Sequence, residues 1–270
     1  MQAVMRQVSA TYHEGCGNDF LVVVDLDAEL SPSSEDVQRI CARRDQQGAD
    51  GFMVIRRGTS SDLAMQLWNA DGSIAEMSGN GIRCFAQAAY LSSLTQSLVM
   101  TIATGAGMRT VTYVAGDTDR SGTASVTMGP VTLLEEVELQ GVAFARRASV
   151  GNPHLVMVVD QASDVDPMLL GPQLSTAPDE GTNVEWISPR SRRELDFVVY
   201  ERGVGPTKAC GTGSCAAAVV AHVAGLVDQE VLVHNPGGTL TVNCRDQDEV
   251  VLSGPVNWIN TISVSVGASA

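Results

Sequence analysis

Lysine is nearly absent: among 270 residues only Lys208 carries an ε-amino group. Schiff-base chemistry, pyridoxal phosphate included, would have to use that one residue. Basic residues are few overall, 17 against 31 acidic, for a formal net charge of −14. A nucleic-acid or anionic-membrane partner would require a Lys/Arg-rich face, so neither is expected. No stretch reaches the ~20 apolar residues of a membrane span. The run from Cys215 to Val227 is shorter and contains His222. The opening segment lacks the apolar core of a signal peptide. Six cysteines are present without a CxxC pair or zinc-like spacing, so free thiols, no metal and a cytoplasmic setting are expected. Aromatics are scarce at 4%.

What is plentiful is apolar residues, 44% of the chain, and 26 glycines. The length fits two domains of ordinary size. Strand signals occur at 20–24, 51–55, 63–68, 98–104, 110–114, 125–128, 143–149, 155–159, 182–187 and 195–200. Ser31–Glu35 opens one helix, and Gly79 and Gly211 begin two longer ones. Asn235-Pro236-Gly237-Gly238 marks a late hairpin. The polar tract Gly116–Gly122 is the best candidate for a boundary.

The two halves repeat each other. Gly17-Asn18 returns as Gly151-Asn152, 134 positions on. Asn69 corresponds to Glu201, and Ser78-Gly79-Asn80-Gly81 to Cys210-Gly211-Thr212-Gly213, both at an offset of 132. Offsets this steady and this long indicate two copies of a domain rather than a solenoid. A cleft between such domains is a common ligand site.

Cys210 stands at or just before a helix N-terminus, where unpaired N–H groups and the dipole favour an anion. On that ground an appreciable thiolate fraction near neutral pH is expected. Glycines at these starts let a small anionic group approach the backbone. Ser78 occupies the same place in the first half. A thiol and a hydroxyl at two helix starts could work on opposite faces of a carbon whose carboxylate those starts hold. Asn18, Asn69, Asn152, Asn183, Glu201 and Arg202 lie at strand ends and suit a small polar ligand. His154 could assist proton handling. His13, His222 and His234 are read as structural.

At these residues the chain resembles the diaminopimelate epimerases. The matching stretches are Gly17–Phe20, Gly48–Gly51, Asn69–Ser73, Gly79–Cys84, Gly151–His154, Asn183-Val184, Glu201–Gly203 and Ala209–Gly213, in family order over essentially the whole chain. The resemblance implies an α+β fold of two pseudo-symmetric domains, each a barrel-like mixed sheet around a central helix, with the active site in the inter-domain cleft. The domains expected are 1–117 plus 259–270, and 118–258, the last strand returning to the first domain. It implies interconversion of LL- and meso-2,6-diaminopimelate by two-residue acid/base proton transfer at the α-carbon, toward lysine and peptidoglycan precursors. No cofactor is implied, and a homodimer is expected. Carried over residue by residue, the catalytic set is Cys210, Ser78, Glu201 and His154. The substrate-binding set is Asn18, Asn69, Gly79, Asn80, Asn152, Asn183, Arg202, Gly211 and Thr212. The departure is Ser78, where the family has its first cysteine. A hydroxyl is a far weaker acid than a thiol, so impaired turnover is expected. Two other readings stay open: an epimerase or racemase of another amino acid, and an amino-acid-binding homologue without catalysis.

Overall fold

The computed structural model describes residues 4–43, 48–118, 120–177 and 180–269. Its elements fall into two units, Met1–Val126 with Pro255–Ala270, and Thr127–Gly254. The chain changes unit inside β8 (Ser121–Gly129) and again inside β17 (Val250–Gly267).

In the first unit β1 (Met5–Gly15) and β2 (Asn18–Val24) form a hairpin. Its two turn residues, Cys16 and Gly17, both have positive φ, 54° and 83°. That is the backbone a two-residue hairpin turn requires. β2 pairs in parallel with β3 (Gly51–Arg57), and β3 antiparallel with β4 (Leu63–Asn69). A short β5 (Ile74–Ala75) folds back on β4. β4 then pairs in parallel with β6 (Val99–Thr104), followed by β7 (Gly107–Ala115) and β8. The later part of β17 pairs antiparallel with β1, Met5 opposite Gly267. Trp258 N–H donates to Arg120 O at 2.7 Å, tying β17 to the start of β8. The strand order β8–β7–β6–β4–β3–β2–β1–β17 therefore closes on itself.

Helix α2 (Gly79–Leu91) runs against β1, β2, β3 and β7. Every residue from Gly79 to Ala89 is buried. Alanines and glycines keep the helix thin enough for strands to surround it, and a helix covered on all sides belongs inside. Its polar members are paired. Gln87 Nε2 donates to Arg120 O at 3.2 Å, and Gln87 Oε1 meets His13 Nδ1 at 2.8 Å. Outside the sheet lies α1 (Ser34–Cys41), started by a Ser33/Asp36 capping box.

The second unit repeats the pairings in the same sequence. β10 (Phe144–Ser149) is antiparallel to β11 (Pro153–Val158), which is parallel to β12 (Asn183–Ser191), which is antiparallel to β13 (Glu194–Glu201). A short β14 (Gly205–Pro206) follows. β13 is parallel to β15 (Glu230–Asn235), and β16 (Gly238–Asn243) and the start of β17 complete the series. β9 (Thr132–Glu136) pairs with β10, as the end of β17 pairs with β1. α4 (Gly211–Val223) is the buried central helix, in contact with β10 to β13, β15 and β16. α3 (Pro167–Thr176) takes the outer place of α1, capped by Asp166.

The Gly116–Gly122 tract is not where the units change. It is the β7–β8 turn, held by Gly116 N–H on Ser121 O at 2.9 Å. Its glycines and polar residues serve a hairpin, which leaves the same trace in a sequence as a linker.

Candidate functional site

Each unit gathers its polar residues at one end of its sheet. In the first, β2 begins at Asn18, β3 begins at Gly51 opposite Asn69, and Asn80 in the first turn of α2 meets Asn18. Ser78 is the N-cap of α2 in an extended conformation, and Gly81 N–H donates to its Oγ at 3.0 Å. In the second unit Cys210 is the N-cap of α4 with nearly the same backbone, φ −125° and ψ 115° against −138° and 126°. Gly213 N–H donates to its Sγ at 3.4 Å. The larger atom accounts for the longer contact. Neither helix carries an acidic residue in its first turn, so the positive end of each dipole is left for a ligand.

Around Cys210 a chain of hydrogen bonds runs through the second unit. Thr212 Oγ1 lies 3.5 Å from Cys210 Sγ, and Asn152 Nδ2 donates to Thr212 Oγ1 at 3.4 Å. Asn152 Oδ1 meets His154 Nε2 at 3.0 Å, and His154 Nδ1 meets Glu185 Oε1 at 2.6 Å. His154, Glu185 and Cys210 are all buried. Glu201, at the end of β13, accepts from Thr207 Oγ1, and its charge acts on the Cys210 thiol. Of the residues named from the sequence, hydrogen bonds link Cys210, Thr212, Asn152 and His154 here.

Other predicted residues act on backbone. Asn183 Nδ2 donates to Pro153 O at 3.1 Å, and its Oδ1 accepts from Arg202 N–H at 2.9 Å. Asn183 thereby joins the starts of β11 and β12 to the turn after β13. The Arg202 side chain is exposed and donates to Glu180 O at 2.7 Å. In the first unit Asn80 Nδ2 donates to Asn18 Oδ1, and Asn18 Nδ2 to Asp50 Oδ2 at 3.2 Å. Asn69 is exposed and donates to Ser73 Oγ at 3.0 Å, apart from that chain. Gly79 and Gly211 open the two helices, each buried.

Several residues that shape these sites were not singled out by sequence reasoning. Arg83 is wholly buried and donates to Gly79 O at 2.8 Å and Asn80 Oδ1 at 3.0 Å, bracing the start of α2. Asn235 Oδ1 accepts from Cys210 N–H at 3.3 Å, and its Nδ2 donates to Ser214 Oγ at 3.2 Å. Ser214 Oγ donates to Cys210 O at 2.8 Å. Asn235 stood in plain view in the hairpin motif, where it reads as a turn residue. Glu185 gave one signal, an acidic residue within an apolar strand.

The electrostatics of Cys210 correct the expectation of a thiolate near neutrality. Burial pushes its pKa well up, and the Glu201 and Glu185 carboxylates push it further. The Thr212 hydroxyl and Gly213 N–H act in the other direction but are smaller effects. The helix start supplies donors as anticipated; desolvation and two acidic neighbours outweigh them. Glu201 is itself raised above the ordinary carboxylate value, chiefly by burial and, less strongly, by the charge of Glu185. The result is a thiol beside a carboxyl group made more basic than usual. Among the described residues no cluster of three or more His, Cys, Asp or Glu could hold a metal ion, and no helix is long and apolar enough to cross a membrane.

Solved structures share this fold at low sequence identity. A phenazine biosynthesis protein of the PhzF family from Bacillus anthracis superposes with a TM-score of 0.73 at 15% identity, over 96% of this chain and 99% of that one. A hydroxyproline epimerase from Agrobacterium vitis, with bound trans-4-hydroxy-L-proline, gives 0.72 at 15% identity over 97% and 93%. Sequence relatives are nearer. The diaminopimelate epimerase of Clostridium perfringens is 35% identical over 91% of this chain and 95% of its own length. That of Leptospira biflexa is 31% identical over 96% and 100%. The diaminopimelate epimerase family model matches residues 10–134 and 147–259. With both helix starts, the repeated pairing scheme and this breadth of similarity, the chain belongs to the diaminopimelate epimerase family.

Proposed function

We propose that this protein interconverts LL- and meso-2,6-diaminopimelate by moving the α-proton between the two faces of one carbon. The observation that carries the reading is the matched pair of N-caps, Ser78 and Cys210, each at the start of a buried helix with no acidic residue in its first turn. The nearest alternative, another amino acid as substrate, has no observation in its favour.

In the second half-site Glu201 takes the thiol proton of Cys210. Its raised basicity narrows the gap to the thiol, which is what a general base needs. The Thr212 hydroxyl and Gly213 N–H receive the sulfur's developing charge. Cys210 then withdraws the α-proton from its face of the substrate. Backbone N–H groups at Gly79, Asn80, Gly211 and Thr212 hold the α-carboxylate, where enolate-like charge grows. Such donors contribute most when charge appears in a dry site. Ser78 delivers the proton on the other face, and Asn18, Asn69, Asn152, Asn183 and Arg202 shape the room for the rest of the substrate.

No step calls on a cofactor. The product feeds lysine and cell-wall precursor synthesis, the enzyme works in the cytoplasm, and it pairs as a homodimer. The test is a steady-state assay across a panel of amino acids, with stereoisomers separated by chiral chromatography. Turnover of diaminopimelate above all others is expected, and turnover of another amino acid in its place would overturn the reading.

A further inference from the structure

Glu185 lies on β12, wholly buried, and is used by no step above. Its Oε1 is 2.6 Å from His154 Nδ1, while Oε2 has no hydrogen-bond partner among the described residues. The α4 start is shaped around it. A Cβ on Gly213 would come within 2.8 Å of Glu185 Oε1 and 3.2 Å of Cys210 Sγ. Glycine at 213 is therefore the residue that lets the carboxyl group and the thiol share one wall.

The donor and acceptor roles along the chain follow from chemistry. An amide oxygen only accepts and an amide nitrogen only donates. Asn152 presents Oδ1 to His154 and Nδ2 to Thr212. His154 Nε2 must then carry a proton. Nδ1 either carries one too, facing a carboxylate, or is bare and accepts from a carboxylic acid. In both cases the Glu185–His154 pair is net neutral and Nε2 is a donor. Thr212 Oγ1, accepting from Asn152, keeps its own hydrogen to donate to Cys210 Sγ once the sulfur is ionised and can only accept.

We infer that Glu185 is a positioning residue: through the proton it shares with His154 Nδ1 it keeps Nε2 the donor that Asn152 Oδ1 requires, and so sets the direction of the chain that ends in a donor on Cys210. Without a polar partner on Nδ1, the ring can turn its bare nitrogen to Asn152. The amide then reverses, Thr212 donates to Asn152 Oδ1, and the sulfur loses its donor. The titratable groups facing Cys210 are Glu201 from β13, Glu185 from β12 and His154 from β11. The consequence for turnover rests on the proton-transfer role proposed for Cys210; the hydrogen-bond direction does not.

Nitrogen-15 NMR of His154 in the full-length protein tests the direction. A proton on Nε2 is expected in the unmodified protein and in Glu185→Gln, whose amide can still donate to Nδ1. Glu185→Leu should give a mixture of ring tautomers. In iodoacetamide alkylation, Glu185→Leu should place the Cys210 midpoint about one to two pH units above that of Glu185→Gln, both variants lacking the carboxylate that raises the thiol; the difference is the size of a hydrogen bond to a charged group. Thr212→Val added to Glu185→Gln should give a similar rise, and added to Glu185→Leu little. Loss in kcat with little change in KM is expected for Glu185→Leu. A bare Nε2 in the unmodified protein would overturn the inference even if Glu185→Leu does not fold. So would a folded Glu185→Leu whose alkylation profile matches that of Glu185→Gln. Absence of diaminopimelate turnover alongside a protonated Nε2 would instead count against the proposed function alone.

Discussion

Replacing Ser78 by cysteine should create the missing half of a catalytic pair at a small cost in stability. The two N-caps differ by less than 15° in φ and ψ, so a thiol at 78 has a template in Cys210. It would accept from Gly81 N–H at about the 3.4 Å seen from Gly213 to Cys210 Sγ, in place of the 3.0 Å made by Ser78 Oγ. Serine is a preferred N-cap, and losing such a cap costs roughly 0.5–2 kcal/mol. A weaker sulfur acceptor should keep the loss at the low end. Proton transfer gains more. A positioned acid or base contributes about 10²–10⁴-fold, and a thiol is a far better acid than an unassisted hydroxyl. Inversion of diaminopimelate, followed by chiral chromatography, should therefore rise by about two orders of magnitude or more in Ser78→Cys, while urea unfolding shows a slight loss. Unchanged inversion in a folded Ser78→Cys would refute the assignment of position 78 to proton transfer.

Other consequences are open to measurement. Because Glu201 is raised by burial and must be ionised to accept the thiol proton, the acid limb of kcat/KM should fall above the ordinary carboxylate value of 4.5; Glu201→Gln should lose that limb and about 10²–10⁴ in kcat. His13 is buried and neutral, its pKa lowered to about 4 from 6.5 by desolvation. The unfolded chain binds its proton first as pH falls, so stability present above pH 6.5 is lost down to about pH 4. Full loss amounts to roughly 3 kcal/mol, and denaturant titrations across that range should show a shallower decline in His13→Gln. Asn235→Ala removes the acceptor of Cys210 N–H and the donor to Ser214; a loss of about 1–3 kcal/mol is expected, with a fall in Cys210 reactivity that a remote destabilising substitution would not produce.

The parts of the fold that show in the sequence are those with local chemistry. Ser33 caps α1, and glycine pairs start α2 and α4 just where small residues were needed for a close wall. The hairpin at Asn235–Gly238 is written in turn residues. β1 is hard to see because Met5–Gly15 is rich in polar residues and only Ala10, His13 and Gly15 of it are buried. α3 hides behind Pro172 within its own span. Glu185 escaped because Asn183–Ser188 is buried on both faces, which erases the alternation that would mark its side. The Cys210 site was legible in its members and misjudged in its charge. A helix start is visible in residue types, whereas desolvation depends on strands and carboxylates brought in from distant positions.

The most direct test of the two-base account is α-proton exchange in deuterium oxide, measured by mass spectrometry on each stereoisomer of diaminopimelate. With Cys210 able to withdraw and return a proton on its own face, and Ser78 slow on the other, one form should gain α-deuterium with retention faster than it inverts. The other should exchange poorly, and Cys210→Ala should abolish the fast exchange. Equal exchange of both forms, or exchange that survives Cys210→Ala, would contradict the account.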